Sequence, residues 1–388
     1  MRRLALLIYS IVFLDALLMF AIVPLLPSYA RDLGLSTTQA GIVVAVYSGT
    51  VLVAGLPAGR AADRFGARQV TIIGIALLAV STGAYGFSHT FLALLVARMG
   101  QGVSSAISWS AGLAWLTEAT PVERRPAALG AAMAAGSTGA LVGPVVGGPL
   151  GEHLGIRAPF VIFAGVAAVL TVWAFFEPGA RGHADVTVGV RDLPRLAARN
   201  QLIAAALLVT LIVAVVSGAM ETLVPLHLGD KGYSAGQISI VLGIAGVLGV
   251  LSNLIAGRIY NRFGGIRIAR TALLGSAVGM LALAAAQAAP VVSVLYIIVT
   301  PTIAFQYAVC FPLSAEGAQH ERVPQGVILG AINVCWGLGF MIGPAAGAVV
   351  AQAFSESASY ILAMVVSLGG FAALRSLALA PRECQEPA

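Results

Sequence analysis

Long, mostly apolar runs alternate with short charged breaks along the whole chain, at about 4–28, 39–59, 69–88, 91–117, 126–151, 158–176, 201–228, 236–257, 271–289, 291–315, 325–353 and 357–376. Most match the roughly 20 residues a helix needs to cross a bilayer core about 30 Å thick. Charges fall within four of them: Asp15, Arg98 and Glu221 well inside the run, and Arg375 next to the end of the last. The stretch from Thr271 to Ala315 carries no charge and as one helix would measure about 67 Å, so it is expected to cross twice with a break near Pro290. The pattern predicts an all-α integral membrane protein of twelve transmembrane helices.

Composition agrees, since only 10% of the 388 residues are charged and 59% are apolar, too few charges for a soluble surface. The net charge of +6 takes on a topological meaning. With both termini on the same side, 18 Lys and Arg fall in the loops and tails of that side and three, Arg31, Arg157 and Lys231, on the other. Positive residues stay cytoplasmic, so both termini are expected inside, in a multi-pass protein of the cytoplasmic (inner) membrane. Nucleic acid is discarded as a partner. Cys310, Cys335 and Cys384 follow neither metal-ligand nor disulfide spacing, and no metal or cofactor is expected. Met1-Arg2-Arg3 and the apolar residues after it imitate a secretory leader, but about 25 apolar residues with Asp15 at their middle read as a first spanning helix.

Two halves repeat. At a shift of 198, Pro27, Asp32, Gly34, Ser36, Gln39, Gly59, Arg60, Arg64, Phe65 and Gly66 recur as Pro225, Asp230, Gly232, Ser234, Gln237, Gly257, Arg258, Arg262, Phe263 and Gly264. At a shift of 200, Gly139, Gly143, Pro144 and Gly147 recur as Gly339, Gly343, Pro344 and Gly347. The expected organisation is a six-helix bundle over 1–177, a cytoplasmic linker over 178–200 and a second six-helix bundle over 201–388. Parallel six-helix repeats of this kind place a central site between two bodies that rock.

Gly59-Arg60-Ala61-Ala62-Asp63-Arg64-Phe65-Gly66-Ala67-Arg68, after the second span, resembles the loop signature of the major facilitator superfamily, with Ala61 and Ala67 departing from it. In that family the loop latches the outward-open state, which makes Gly59, Asp63, Arg64, Gly66 and Arg68 candidate gating residues. The second copy has Asn261 in place of Asp63, so the charged latch is expected on the first half alone. Arg98-Met99-Gly100-Gln101-Gly102 is similar to the family's R-x-x-Q-G motif, adding Gln101 and Gly102. Gly139-x-x-x-Gly143-Pro144-x-x-Gly147-Gly148 matches its antiporter motif. Small residues at intervals of four let helices approach closely. The resemblance implies the major facilitator fold, with two pseudo-symmetric bundles.

An intramembrane charge is expensive in lipid, so Asp15, Arg98 and Glu221 are expected to face the interior. By helical rise Asp15 lies about 16 Å from one membrane face and Arg98 about 10 Å from the other, depths that differ by about 4 Å and make them candidate partners. A buried carboxylate takes either a proton or a cation. That competition suits proton exchange against a cationic solute, with Asp15, Glu221 and Arg98 as the coupling groups.

Asp15 with Pro24 and Pro27, and Glu221-x-x-x-Pro225, look like the first and seventh helices of vesicular amine transporters and their bacterial relatives among the drug:proton antiporters. Acids that those transporters carry in helices ten and eleven are missing here. Ser105, Trp109, Gln306, Tyr307, Asn333 and Trp336 join Asp15 and Glu221 as candidate substrate contacts, because aromatic faces and neutral polar groups suit amphipathic cations. The expectation is a monomeric secondary exporter of small amphipathic or cationic compounds, coupled to protons. The alternative is a proton-coupled or facilitative importer of a polar metabolite. No enzyme motif occurs: His320-Glu321 is followed by Arg322, Val323 and Pro324, not by a metalloprotease pattern.

Overall fold

The computed structural model describes residues 2–179, 199–321, 323 and 325–379. Most of the expected linker and the last residues, Cys384 included, lie outside that range. Twelve spans follow one another: α1 (Arg2–Leu33), α2 (Thr37–Phe65), α3 (Ala67–Gly86), α4 (Phe91–Glu118), α5 (Arg125–Leu154), α6 (Ala158–Phe176), α7 (Gln201–Asp230), α8 (Ala235–Phe263), α9 (Gly265–Ala285), α10 (Ala289–His320), α11 (Gln325–Ala353) and α12 (Glu356–Leu379). The long uncharged stretch does break, at 286–288, just ahead of Pro290. Valines, leucines and phenylalanines such as Val53, Leu92, Val169, Phe176 and Leu254 point outward. In water that surface would aggregate; facing acyl chains it costs nothing.

Two spans depart from regular helix. In α1 the backbone tightens to a 3-10 turn at Val23–Leu25, where Pro24 and Pro27 remove two amide donors. In α4 the residues Ser108–Gly112 form a π turn, a widening that is frequent at functional sites.

The repeated residues have local reasons to recur. Ser36 caps α2 and Ser234 caps α8, each in a reciprocal box with the glutamine three residues on, Gln39 or Gln237. Gly66 and Gly264 turn the chain between spans at φ 90° and 82°, a region an L side chain resists.

Glycines set the core of each half. The Cβ positions of Gly139, Gly143 and Gly147 on α5 fall on the carbonyls of Phe13, Leu17 and Ala21 of α1, so the two backbones touch along two turns. In the second half Gly339 and Gly343 of α11 lie in the same way against the carbonyls of Leu211 and Val215 of α7, and Gly347 lies against the Ala219 side chain. Gly148 instead lies against Ala235 and Ser239 of α8, across the junction of the halves.

The halves meet at the face opposite the arginine-rich loops. There α2 packs on α11 and α5 on α8. Arg31 donates to the Gly229 carbonyl (3.2 Å) and Ser239 to the Pro144 carbonyl (2.6 Å). Two further bonds are related by the repeat: the α2 amide of Thr38 donates to Gln352 Oε1 (2.9 Å), and the α8 amide of Gly236 donates to Glu152 Oε2 (2.6 Å). Each half therefore caps the start of a helix in the other. Toward the arginine-rich face the α2 residues Arg60, Asp63 and Arg64 are exposed and the first turns of α5 are bare. The bundle is closed at one face and open at the other.

This seal yields a testable expectation. Glu152→Gln is expected to hold it, because Gln352 already does the same work in the other copy. Glu152→Ala loses a cap worth about 1 kcal/mol, which is roughly a fivefold shift toward opening. Spin labels at positions 154 and 231 would read that shift as a longer-distance population; equal distances in wild type and Glu152→Ala would refute it.

Candidate functional site

Helices α1, α2 and α4 bring Asp15 into a cage of donors. Its Oδ2 accepts from Ser105 Oγ (2.8 Å) and Trp109 Nε1 (3.0 Å), and its Oδ1 from the Tyr47 hydroxyl (3.3 Å). Ser105 and Trp109 reach the same oxygen because they stand four residues apart on α4, on one face. Trp109 belongs to the π turn. Asp15 itself is 1% exposed, while the Trp109 side chain that holds it is half-buried.

Arg98 is buried too, at 1% exposure, so its charge does not reach the headgroups. The expected direct pairing with Asp15 does not occur: among the described residues no ion pair joins them. Arg98 donates to Gln101 Oε1 (3.0 Å) and to the Met19 carbonyl (3.3 Å). Its guanidinium lies over the rings of Tyr47 (5.0 Å) and Tyr85 (5.9 Å). Tyr47 therefore bridges the two charges, holding the carboxylate by its hydroxyl and the guanidinium by its ring face. Met19 precedes the break in α1, so a shift in that helix is felt directly at Arg98.

The other motif residues support this arrangement. Gln101 passes the contact on, its Nε2 donating to Thr82 Oγ1 (3.1 Å). A Cβ at Gly102 would stand 2.6 Å from the Tyr47 carbonyl, so this glycine lets α4 approach α2 where Tyr47 projects. Pro144 sits in the α5 stripe and offers its carbonyl to Ser239.

The loop motif is disengaged in this conformation. Asp63 is exposed and makes no hydrogen bond among the described residues, and nothing lies within 4 Å of a Cβ built at Gly59. Arg64 lies over the ring of Phe65 (5.2 Å). Arg68 serves a different purpose, donating to the carbonyls of Glu177 and Phe175, both at 2.7 Å, and so capping the end of α6.

In the second half Glu221 on α7 is part-buried and forms neither a hydrogen bond nor an ion pair among the described residues. Trp336 stacks on Phe340 with centroids 4.5 Å apart, and Phe340 meets Phe20 of α1 edge-on at 6.3 Å, an aromatic contact between the halves. Asn333 is exposed in the open region, and half-buried Tyr307 packs edge-on against Phe311 (5.1 Å). Gln306 is placed otherwise than expected. It is 1% exposed and its amide donates to Ala272, Ser276 and Thr302, tying α10 to α9 instead of facing the cavity.

Sequence reading passed over Tyr47 and Tyr85. Each is a tyrosine inside an apolar run, and a buried hydroxyl in lipid must find a partner, which was the available signal. The sequence matches the profile described as Major Facilitator Superfamily over residues 8–323. The chain belongs to that superfamily. It is a multi-pass membrane protein of a transporter family.

Among curated proteins it is 31% identical to multidrug resistance protein 1 of Bacillus subtilis (strain 168), over 65% of this chain and 66% of that one. It is 26% identical to multidrug resistance protein 2 of the same organism, over 85% and 84%. Quinolone resistance protein NorA of Staphylococcus aureus (strain MSSA476) is 27% identical over 63% of each. The matches to the first and third thus span just under two thirds of those relatives.

Solved structures share the fold. A bacterial homolog of the human lysosomal transporter Spinster, in its inward-facing and occupied conformation, superposes with a TM-score of 0.80 at 14% identity, covering 99% of this chain and 98% of that one. The nucleoside transporter NupG gives 0.77 at 14% identity, covering 97% and 100%.

Proposed function

We propose that the chain exports small amphipathic or cationic compounds in exchange for protons, with both termini in the cytoplasm and the protein in the cytoplasmic membrane. The conformation described is then the inward-open one, and the bodies that rock are 1–177 and 201–388, joined by 178–200. The observation that carries the reading is Asp15, a buried carboxylate held by three donors beside the cavity and one tyrosine ring from a buried arginine. Resistance proteins among the relatives support drug-like cargo.

The chemistry follows from charge balance. Protonated Asp15 is neutral and leaves Arg98 the uncompensated charge on this half. Loss of that proton restores a negative group behind Trp109, which favours a cation against the indole face. Cation and proton therefore exclude one another at one place, and alternating exposure turns this exclusion into exchange. Glu221, unpartnered on the facing half, is the second coupling group. Asn333, Trp336 and Tyr307 offer polar and aromatic contacts for the rest of the cargo, while Gln306 holds the second bundle together. On the closed-inward stroke Gly59 and Asp63 would engage the second half, and the glycines of α5 keep α1 against α5 throughout.

Purified protein in liposomes, given tetraphenylphosphonium or ethidium and a pH-sensitive dye, tests the direction of coupling. Export against protons acidifies the cytoplasmic side as cation leaves it. Cation movement with the opposite pH change would mark an importer, and movement without pH change would remove the coupling.

Arg98→Ala is expected to cut turnover per molecule about tenfold or more while expression changes less than about twofold, because it removes the charge Asp15 balances and leaves Gln101 and Met19 to water. Normal turnover of a poorly expressed protein would make Arg98 structural.

A further inference from the structure

On the outer wall of the first bundle, away from the space between the halves, α3 and α4 leave a groove of about 760 Å³. Val80, Phe87, Leu92 and Val96 line it and are exposed, so it opens toward acyl chains. Its floor is a helix contact: a Cβ built at Gly100 of α4 would stand 2.8 Å from the Cβ of Ser81 of α3. The mouth, at Ser88, His89 and Thr90 between the two helices, lies at the sealed face. From Thr90 to Gly100 the groove runs about 15 Å by helical rise, which is one leaflet of a core about 30 Å thick.

Two observations select the occupant. The first is charge at the mouth. Arg157, in the turn between α5 and α6, places Nη2 3.4 and 3.2 Å from the two ring nitrogens of His89. It is exposed, and among the described residues its side chain makes no other hydrogen bond and has no carboxylate within 4.0 Å. A guanidinium held there has donors to spare for a phosphate, which it can grip with two parallel bonds. The second observation is the other copy. At the shift of 198, Ala93, Ala97 and Gly100 of α4 become Val291, Leu295 and Ile298 of α10, and His89 becomes Gln287; at the shift of 200, Arg157 becomes Ser357. On α4 the first half thus keeps small side chains beneath a cation, where α10 of the second has bulk beneath neutral groups.

We propose that this groove holds an anionic glycerophospholipid of the leaflet at the sealed face, with its phosphate on Arg157 and one acyl chain laid between α3 and α4 down to Ser81 and Gly100. Bulk lipid can fill the apolar part, but the headgroup sets the preference. A zwitterionic lipid is held less well, because its ammonium brings a second positive charge to the same mouth. The site is independent of cargo and of proton coupling.

The test uses the full chain in phosphatidylcholine vesicles with a small fraction of chain-brominated lipid, either phosphatidylglycerol or phosphatidylcholine. Bromine quenches an indole it touches. Val80→Trp puts a reporter in the groove about 10 Å below the mouth, and Val278→Trp puts one at the repeat-equivalent position of α9; the two valines are 70% and 61% exposed. Each signal is read as the difference from the parent protein, which removes the native tryptophans. Brominated phosphatidylglycerol is expected to be preferred about fivefold at position 80 and to show no preference at position 278. Arg157→Gln should abolish the preference at position 80 and leave quenching at 278 unchanged, while Arg157→Lys, which keeps the charge, should retain most of it. Equal quenching by the two lipids at position 80 with Arg157 intact would overturn the site. So would the same preference at both positions, which would come from the charge of the whole protein, or a preference at position 80 that survives Arg157→Gln.

Discussion

Asp15→Asn is expected to bring proton-coupled export to background, a loss of roughly a hundredfold or more, in a protein that still folds. The substitution copies the protonated acid. With its oxygen turned toward Ser105 and Trp109, an asparagine keeps both of those bonds, and its amino group meets the Tyr47 hydroxyl, which can accept where it formerly donated. Packing survives, and what disappears is the ability to become negative. Cation binding behind Trp109 weakens with it, so both arms of the exchange fail together. Two measurements check this: pH-gradient-driven transport in liposomes, and thermal unfolding in detergent, where the variant should stay close to the wild type. Undiminished export by a well-folded Asp15→Asn protein would take Asp15 out of the mechanism.

The same substitution, glycine to alanine, is expected to have opposite effects at two positions of α5. At Gly143 the new Cβ would stand 2.5 Å from the Leu17 carbonyl of α1, and backbone cannot step aside as a flexible side chain can. Overpacking of this sort costs about 1–3 kcal/mol and more where the obstacle is rigid, a large part of a margin that is only about 5–15 kcal/mol. Gly143→Ala should therefore lose most of its folded, monodisperse protein. At Gly130 nothing lies within 4 Å of the built Cβ, and alanine is the better helix former by up to about 1 kcal/mol. Gly130→Ala should unfold at the same temperature as the wild type or slightly above. Size-exclusion profiles and melting curves of the two variants decide the matter; a folded, active Gly143→Ala would mean that α1 and α5 are not in contact as described.

The contrast between those glycines shows how far a motif can be read. Their spacing announces a close helix contact but not its partner. That α1 receives Gly139, Gly143 and Gly147 while α8 receives Gly148 depends on the direction each Cα faces after two turns of helix. Asp15 and Arg98 make the same point. Depth along each span is additive in residues, so their similar level could be worked out from one dimension. Whether they touch depends on rotation about each axis and on what stands between, which proved to be Tyr47. Gln306 was expected at the cavity because it is polar within an apolar span, yet polar groups in lipid satisfy themselves on neighbouring helices as readily as on cargo.

Crossing number, repeat and family were written in the chain itself, because lipid imposes a length on every apolar run and duplication leaves residues at constant offsets. Lateral packing alone decided which face is sealed, which loop is disengaged, and that Phe20 of one half meets Phe340 of the other. Those features arise from residues hundreds of positions apart meeting at one depth, and the hydropathy of a single strand of sequence holds depth but no azimuth.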